Sequence, residues 1–127
     1  MSTLTEGRYP GECLLTKQDG SLSFEEVTVT GGDYHDGTVL GEISSGSPPW
    51  GTGILAQYDP DAHDGTETAA AVLFGNALAA LAPVAATVIV RLAEVKGERL
   101  TWKTGISDGD KAAGVVDLAT NFVIVRD

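Results

Sequence analysis

The residues most able to do chemistry lie in one acidic stretch, Asp59-Pro-Asp-Ala-His-Asp-Gly65, where Asp59, Asp61 and Asp64 offer closely spaced oxygen ligands. A helix-loop-helix calcium loop needs acidic or amide ligands at positions 1, 3 and 5, glycine at 6 and glutamate at 12. Counted from Asp59, those last three positions hold His63, Asp64 and Ala70, so the pattern fails. The stretch reads as a turn-rich, solvated loop. Gly51-Thr-Gly-Ile-Leu-Ala56 spells G-x-G-x-x-A, but Ser-Pro-Pro-Trp precedes it and a β-like run follows. A dinucleotide fingerprint must instead leave a strand and open a helix, so that phosphate meets the helix N-terminus.

Nucleophilic catalysis needs an activated side chain with an oriented base. The chain has two histidines, His35 and His63, in separate loops, and one cysteine, Cys13. No serine sits in a recognisable elbow, and two His with one distant Cys do not make a structural zinc set. A lone cysteine excludes an intrachain disulfide, and Cys13 reads as a small buried hydrophobe. No catalytic, cofactor-binding or metal residue is therefore assigned, and the chain is read as a non-enzyme. Two tryptophans remain. Trp102 reads as core, whereas Trp50, on a Pro-Pro loop, is equally suited to anchoring an interface.

The elements that would position these residues are short. With 127 residues, 43% apolar and 16 glycines, the chain suits one domain of brief strands and many turns. Strands are expected at 12–16, 26–30, 38–43, 54–58, 69–74, 87–95, 99–103 and 122–126. One helix is expected near the C-terminus, capped by Ser107 or Asp108, with Ala112, Val115, Val116 and Ala119 on its apolar face and Asn121 as its stop. Gly114 should weaken it. In Glu26-Val-Thr-Val-Thr30 the valines and threonines point opposite ways, as in a half-buried or edge strand. Gly31-Gly32 then suggests a boundary between an N-terminal arm, 1–32, and a core domain, 33–127. The arm's apolar residues Leu14, Leu15, Phe24, Val27 and Val29, with Trp50, are the candidate partner contacts. Whether Val27 and Val29 belong to the arm or to the domain's own sheet stays open at this point.

Charge narrows the partner. The net charge is −10, and residues 1–67 hold only Arg8 and Lys17 against twelve acids, while residues 68–127 balance six bases with six acids. Without a basic cluster there is no footprint for nucleic acid or anionic membrane. Residues 68–90 carry no charge, which is span length, but alanine dominates and Gly75-Asn76 and Pro83 interrupt them. A buried hairpin or strand-loop-strand is expected there. The N-terminus lacks the basic and apolar regions of a signal peptide, which suggests synthesis and assembly in cytoplasm.

Several segments, taken in order, resemble the lambda-type phage head decoration (capsid-stabilising) protein family. They are Gly20-Ser-Leu-Ser-Phe-Glu-Glu-Val-Thr-Val29, Gly37-Thr-Val-Leu-Gly-Glu-Ile43, Tyr58-Asp-Pro with Asp64-Gly-Thr-Glu-Thr-Ala-Ala-Ala-Val-Leu73, Ala86-Thr-Val-Ile-Val-Arg91, and Ala93-Glu-Val-Lys-Gly-Glu-Arg-Leu-Thr-Trp102. The C-terminal helix followed by Phe122-Val-Ile-Val-Arg126 completes the pattern, so the likeness runs from about Glu12 to Arg126. The resemblance implies a mainly β (α+β), clip-like small β domain with one C-terminal helix and an N-terminal extended arm. It further implies a homotrimer on the outer capsid surface of the virion. There it would bind the major capsid protein and stabilise the expanded shell against internal DNA pressure, with no cofactor. Two other readings compete: a small ligand- or peptide-binding β domain using the Trp50 loop, and an enzyme using the Asp59–Asp64 loop.

Overall fold

A computed structural model describes residues 14–17, 23–43 and 53–126. Ten strands and one helix follow in chain order: β1 (Leu14–Lys17), β2 (Phe24–Val29), β3 (Asp33–Tyr34), β4 (Val39–Glu42), β5 (Ile54–Gln57), β6 (Ala71–Phe74), β7 (Ala77–Leu78), β8 (Val84–Ile89), β9 (Ala93–Lys96), α1 (Asp108–Ala119) and β10 (Val123–Arg126). The fold is a small, mostly β domain with a single helix, as expected from the sequence.

Five strands close into a barrel in the order β2-β5-β4-β6-β8. All its pairings are antiparallel except β2 with β5. A second sheet, β1-β9-β10, lies outside the barrel, and β3 pairs with β7. Successive side chains on a strand face opposite ways, and here the alternation feeds two cores. Leu40, Ala71, Leu73 and Val88 join Val27, Val29 and Leu55 in one cluster. Their chain neighbours Val39, Val72 and Ile89 join Ala93, Val95, Leu118 and Val123 in the other. Strands buried on both faces are apolar without interruption, which is why 69–74 and 86–90 show little alternation.

The uncharged segment 68–90 is strand-loop-strand, divided among β6, β7 and β8, but its loop is exposed rather than buried. The single strand expected over 87–95 is two strands, because Leu92 adopts a left-handed backbone (φ 54°) that ends β8 and starts β9. The strand expected at 99–103 is a 3-10 turn at Gly97–Arg99 followed by one bridge, Thr38 to Thr101. β3 and β7, two residues each, were too short to show a period.

The helix begins where its cap requires. The Ser107 hydroxyl accepts a hydrogen bond from the Asp110 amide at 3.1 Å, with Asp108 and Asp110 in the first turn. Its buried face differs from the expected one. Gly114 and Leu118 are buried, whereas Ala112 is exposed and Val116 is 65% exposed. The phase is set by Trp102 and Tyr58, whose rings meet edge to face at 6.0 Å. Gly114 sits so close to both that no side chain fits between.

The expected boundary after residue 32 falls inside the folded unit. β2 pairs with β8 along six residues, Phe24 to Val29 against Ile89 to Val84, and with β5 on its other side. Val27 and Val29 fill the barrel, at 6% and 0% exposure. Of the two alternatives open in the sequence, they belong to the domain's own sheet.

Candidate partner-binding surface

Three of the six candidate contacts, Phe24, Val27 and Val29, have side chains that pack into the domain. Val27 and Val29 are corrected from partner contacts to barrel core, because their side of the alternation faces Leu55, Leu73 and Val88. The Phe24 ring lies 4.9 Å from that of Phe74, half-buried against the second core. Leu14 and Leu15 belong to β1, which pairs antiparallel with β9 so that Leu14 stands opposite Val95. Trp50 and Cys13 lie outside the described residues.

What the domain does expose is a different set of apolar side chains. Between β7 and β8 the chain turns through Ala79-Ala-Leu-Ala-Pro83, leaving Leu78 at 70% and Leu81 at 101% exposure. Phe122 is 63% exposed and, like Leu92, left-handed (φ 62°). The two are adjacent: the Ala93 amide donates to the Phe122 carbonyl at 3.1 Å, and the Leu92 amide donates to the Asn121 carbonyl at 3.3 Å. The sequence signal for the Leu78–Leu81 turn was the uncharged run itself, which marks burial and exposed apolar turns alike. Phe122 gave none, since it opens an apolar strand.

Carboxylates here brace loops. The buried Asp36 carboxylate accepts the Gly75 amide at 2.6 Å, while the Asp36 amide donates to the Asn76 side chain at 3.0 Å. The buried Glu42 carboxylate accepts the Gly53 amide at 2.6 Å, and the Ile43 amide donates to the Ile54 carbonyl at 2.8 Å. These two bonds close the stem of the β4–β5 connection that carries Trp50.

The acidic loop is held the same way. Asp59 accepts from the Lys103 ammonium and from the Asp61 amide, each at 3.0 Å. Asp64 accepts the Thr66 hydroxyl at 2.6 Å and its amide at 3.1 Å. These donors, Lys103 first for Asp59 and the Thr66 hydroxyl first for Asp64, hold both carboxyls below their ordinary pKa. Among the described residues, no three His, Cys, Asp or Glu side chains are grouped as a metal would require. Gly53, of the G-x-G-x-x-A run, leads directly into β5 rather than a helix. Among the described residues no helix is long and apolar enough to cross a membrane.

The sequence matches the model of the bacteriophage lambda head decoration protein D family over residues 3–123. The chain belongs to that family. No curated protein matches it. As a head decoration protein it is a structural component of a phage capsid, and its place is the virion. The match takes in the barrel and the whole of α1, and of the strands and helix it leaves out only the last three residues of β10.

Proposed function

We propose that this chain acts as a homotrimer on the outer surface of a phage head, bound to the lattice of the major capsid protein, where it stabilises the expanded shell against internal DNA pressure. The family match over residues 3–123 carries the reading. Synthesis and assembly take place in the host cytoplasm. No catalytic step, cofactor or metal is part of the activity, and neither nucleic acid nor membrane is a partner.

Two features support a protein partner. The net charge of −10 keeps the chain away from packaged DNA. The exposed, uncharged turn at Leu78–Pro83 offers apolar area of the kind interfaces cover. The arm of this proposal is shorter than the sequence suggested. With β1 and β2 inside the fold, the part that reaches the capsid is residues 1–13, together with the Trp50 loop. An extended segment can add to a partner's sheet through backbone hydrogen bonds while alternate side chains fill pockets.

Co-sedimentation tests the reading directly. The protein is expected to pellet with expanded capsids, to bind precursor shells much less, and to run as a trimer in native mass spectrometry. Expansion-selective binding would raise the melting temperature of the expanded shell by linkage. A monomer, or equal binding to both shells, would overturn it. Removal of residues 1–13 is expected to leave a folded oligomer with most capsid affinity lost.

A further inference from the structure

Residues 68–90 carry no charge, and much of what they show to solvent lies in and beside the turn between β7 and β8. Leu78, Ala80, Leu81, Ala82, Pro83 and Ala85 are exposed, Leu81 completely so. Ala77 and Ala79 between them are buried, so alternation turns one side of this segment inward and the other out. Elsewhere on the domain the exposed surface carries acids, among them Glu26, Asp61, Asp64, Glu67 and Asp108. The chain as a whole has a net charge of −10.

The turn is braced in one shape. The Ala79 amide donates to the Gly32 carbonyl at 3.0 Å, and the Ala80 amide donates to the Asp33 carboxylate at 3.1 Å. Before β7, the Gly75 amide is bonded to buried Asp36. Pro83 fixes its own φ. Asp33 stands opposite Leu78 in the β3–β7 register, so the carboxylate that flanks the turn is engaged by it. A leucine displayed on a braced backbone loses little freedom when it is covered, which favours association.

We propose that this turn is where copies of the chain meet, the turns of the homotrimer packing around its rotation axis with Leu81 against Leu81. The inference rests on the homotrimer reading above and names its contact. Charge chooses a second copy as the occupant. A copy carries the same excess of acid, so repulsion opposes contact across acidic surface and is least at a neutral face. A partner of different sequence could instead be met through complementary charge. Symmetry points the same way. In a closed ring, identical patches at the axis meet one another, so a protruding leucine needs no matching hollow elsewhere on the domain. Assembly then buries apolar area that the single chain leaves in water.

The test uses the purified full-length protein without capsids, in native mass spectrometry and sedimentation at micromolar concentration. Leu81→Asp is expected to run as a folded monomer. Its association constant should fall by about a thousandfold, roughly tenfold for each of three leucines uncovered. Circular dichroism should match the parent, because the Leu81 side chain is fully exposed in its own domain. Leu81→Cys in a Cys13→Ser background, under a mild oxidant, should join two chains of each trimer by a disulfide. Val116→Cys, on the exposed face of α1, should not. Added salt should leave the parent trimer intact or tighten it, since screening removes repulsion. A monomeric parent would overturn the homotrimer reading together with this inference. A trimeric parent whose Leu81→Asp variant is equally trimeric would overturn the inference alone. If that trimeric variant also fails to pellet with capsids, the turn belongs to the capsid contact instead. Dissociation of the parent trimer by salt would place ion pairs in the contact and overturn the inference as well.

Discussion

Gly114 of α1 lies against the indole of Trp102: a Cβ placed on Gly114 would stand 2.8 Å from the ring atom Cζ3, and 3.0 Å from Cε2 of Tyr58. A mid-helix glycine ordinarily costs about 0.5–1 kcal/mol relative to alanine. Here that cost permits helix and rings to close up over the second core. Gly114→Ala is therefore expected to destabilise the domain by about 1–3 kcal/mol, as overpacked cores do. Gly109→Ala, whose added Cβ would meet only the Ser107 hydroxyl at 3.9 Å, should be neutral or stabilising. Thermal unfolding of the two variants, side by side, reads the difference in sign.

Val29→Asp and Val27→Asp should unfold the isolated chain. Each would place a carboxylate inside the barrel among Leu55, Leu73 and Val88 without a partner, and an unpaired buried charge costs several kcal/mol. Val29→Ala should cost about 2 kcal/mol, from lost burial plus a cavity. Circular dichroism of the variants at rising temperature is the measurement. A folded Val29→Asp protein would remove β2 from the barrel.

These valines show where the sequence was legible and where it was not. Alternation in 26–30 gave the strand and its inward face correctly, because period two is a local property. What it hid was the partner: β2 pairs with β8, some sixty residues away, and only that pairing decides whether Val27 faces its own core or another protein. Gly31-Gly32 suggested a boundary, yet Gly31 (φ 95°) marks a turn inside the domain. The Ser107 cap was readable, since capping is chemistry within three residues. The helix phase was not, because Trp102 and Tyr58 choose the buried face. Of the candidate contacts, Phe24 and the valines looked available only while their covering strands were unknown.

Asp36 should matter more than its place in a loop suggests. It is fully buried, and its carboxylate is bonded to the Gly75 amide at the start of the β6–β7 turn. Asp36→Ala leaves that amide unsatisfied and should cost about 1–3 kcal/mol. Asp36→Asn, which keeps an acceptor oxygen, should cost less. Urea unfolding measures both. Equal stability of the alanine variant and the parent would count against the bracing role.

Alkaline pH should loosen the second core. Burial, and then the nearby negative charges of Asp117 and Asp110, raise the Tyr58 pKa above its ordinary 10.0. Its hydroxyl donates to the Asp110 carbonyl at 2.9 Å. A phenol whose folded pKa is raised stabilises the fold fully below about pH 10 and loses that contribution as pH climbs through the raised value. Tyr34 acts in the same direction, chiefly through burial. Unfolding free energy should therefore fall as pH rises above about 10, and Tyr58→Phe should flatten that fall while losing about 0.5–1.5 kcal/mol at neutral pH.

The acid side has its own expectation. Asp59, held below its ordinary 3.8 chiefly by the Lys103 ammonium, contributes stability above that value and loses it as pH falls through the lowered one. Lys103→Met should remove this contribution, so that unfolding curves of variant and parent converge on acidification. A gap that does not narrow on acidification would assign the Lys103 effect to packing.

The outer sheet also dictates how the domain would bear load. β1 and β10 flank β9, and β1 begins at the same end of the sheet at which β10 finishes, with Leu14 and Val125 on one row across Val95. A force pulling those two ends apart would act across the strands, opening their hydrogen bonds one after another as a zipper opens. It would not shear them all together. Tension applied at the chain ends would thus meet little resistance from this sheet, while the closed barrel, reached last, would keep its shape.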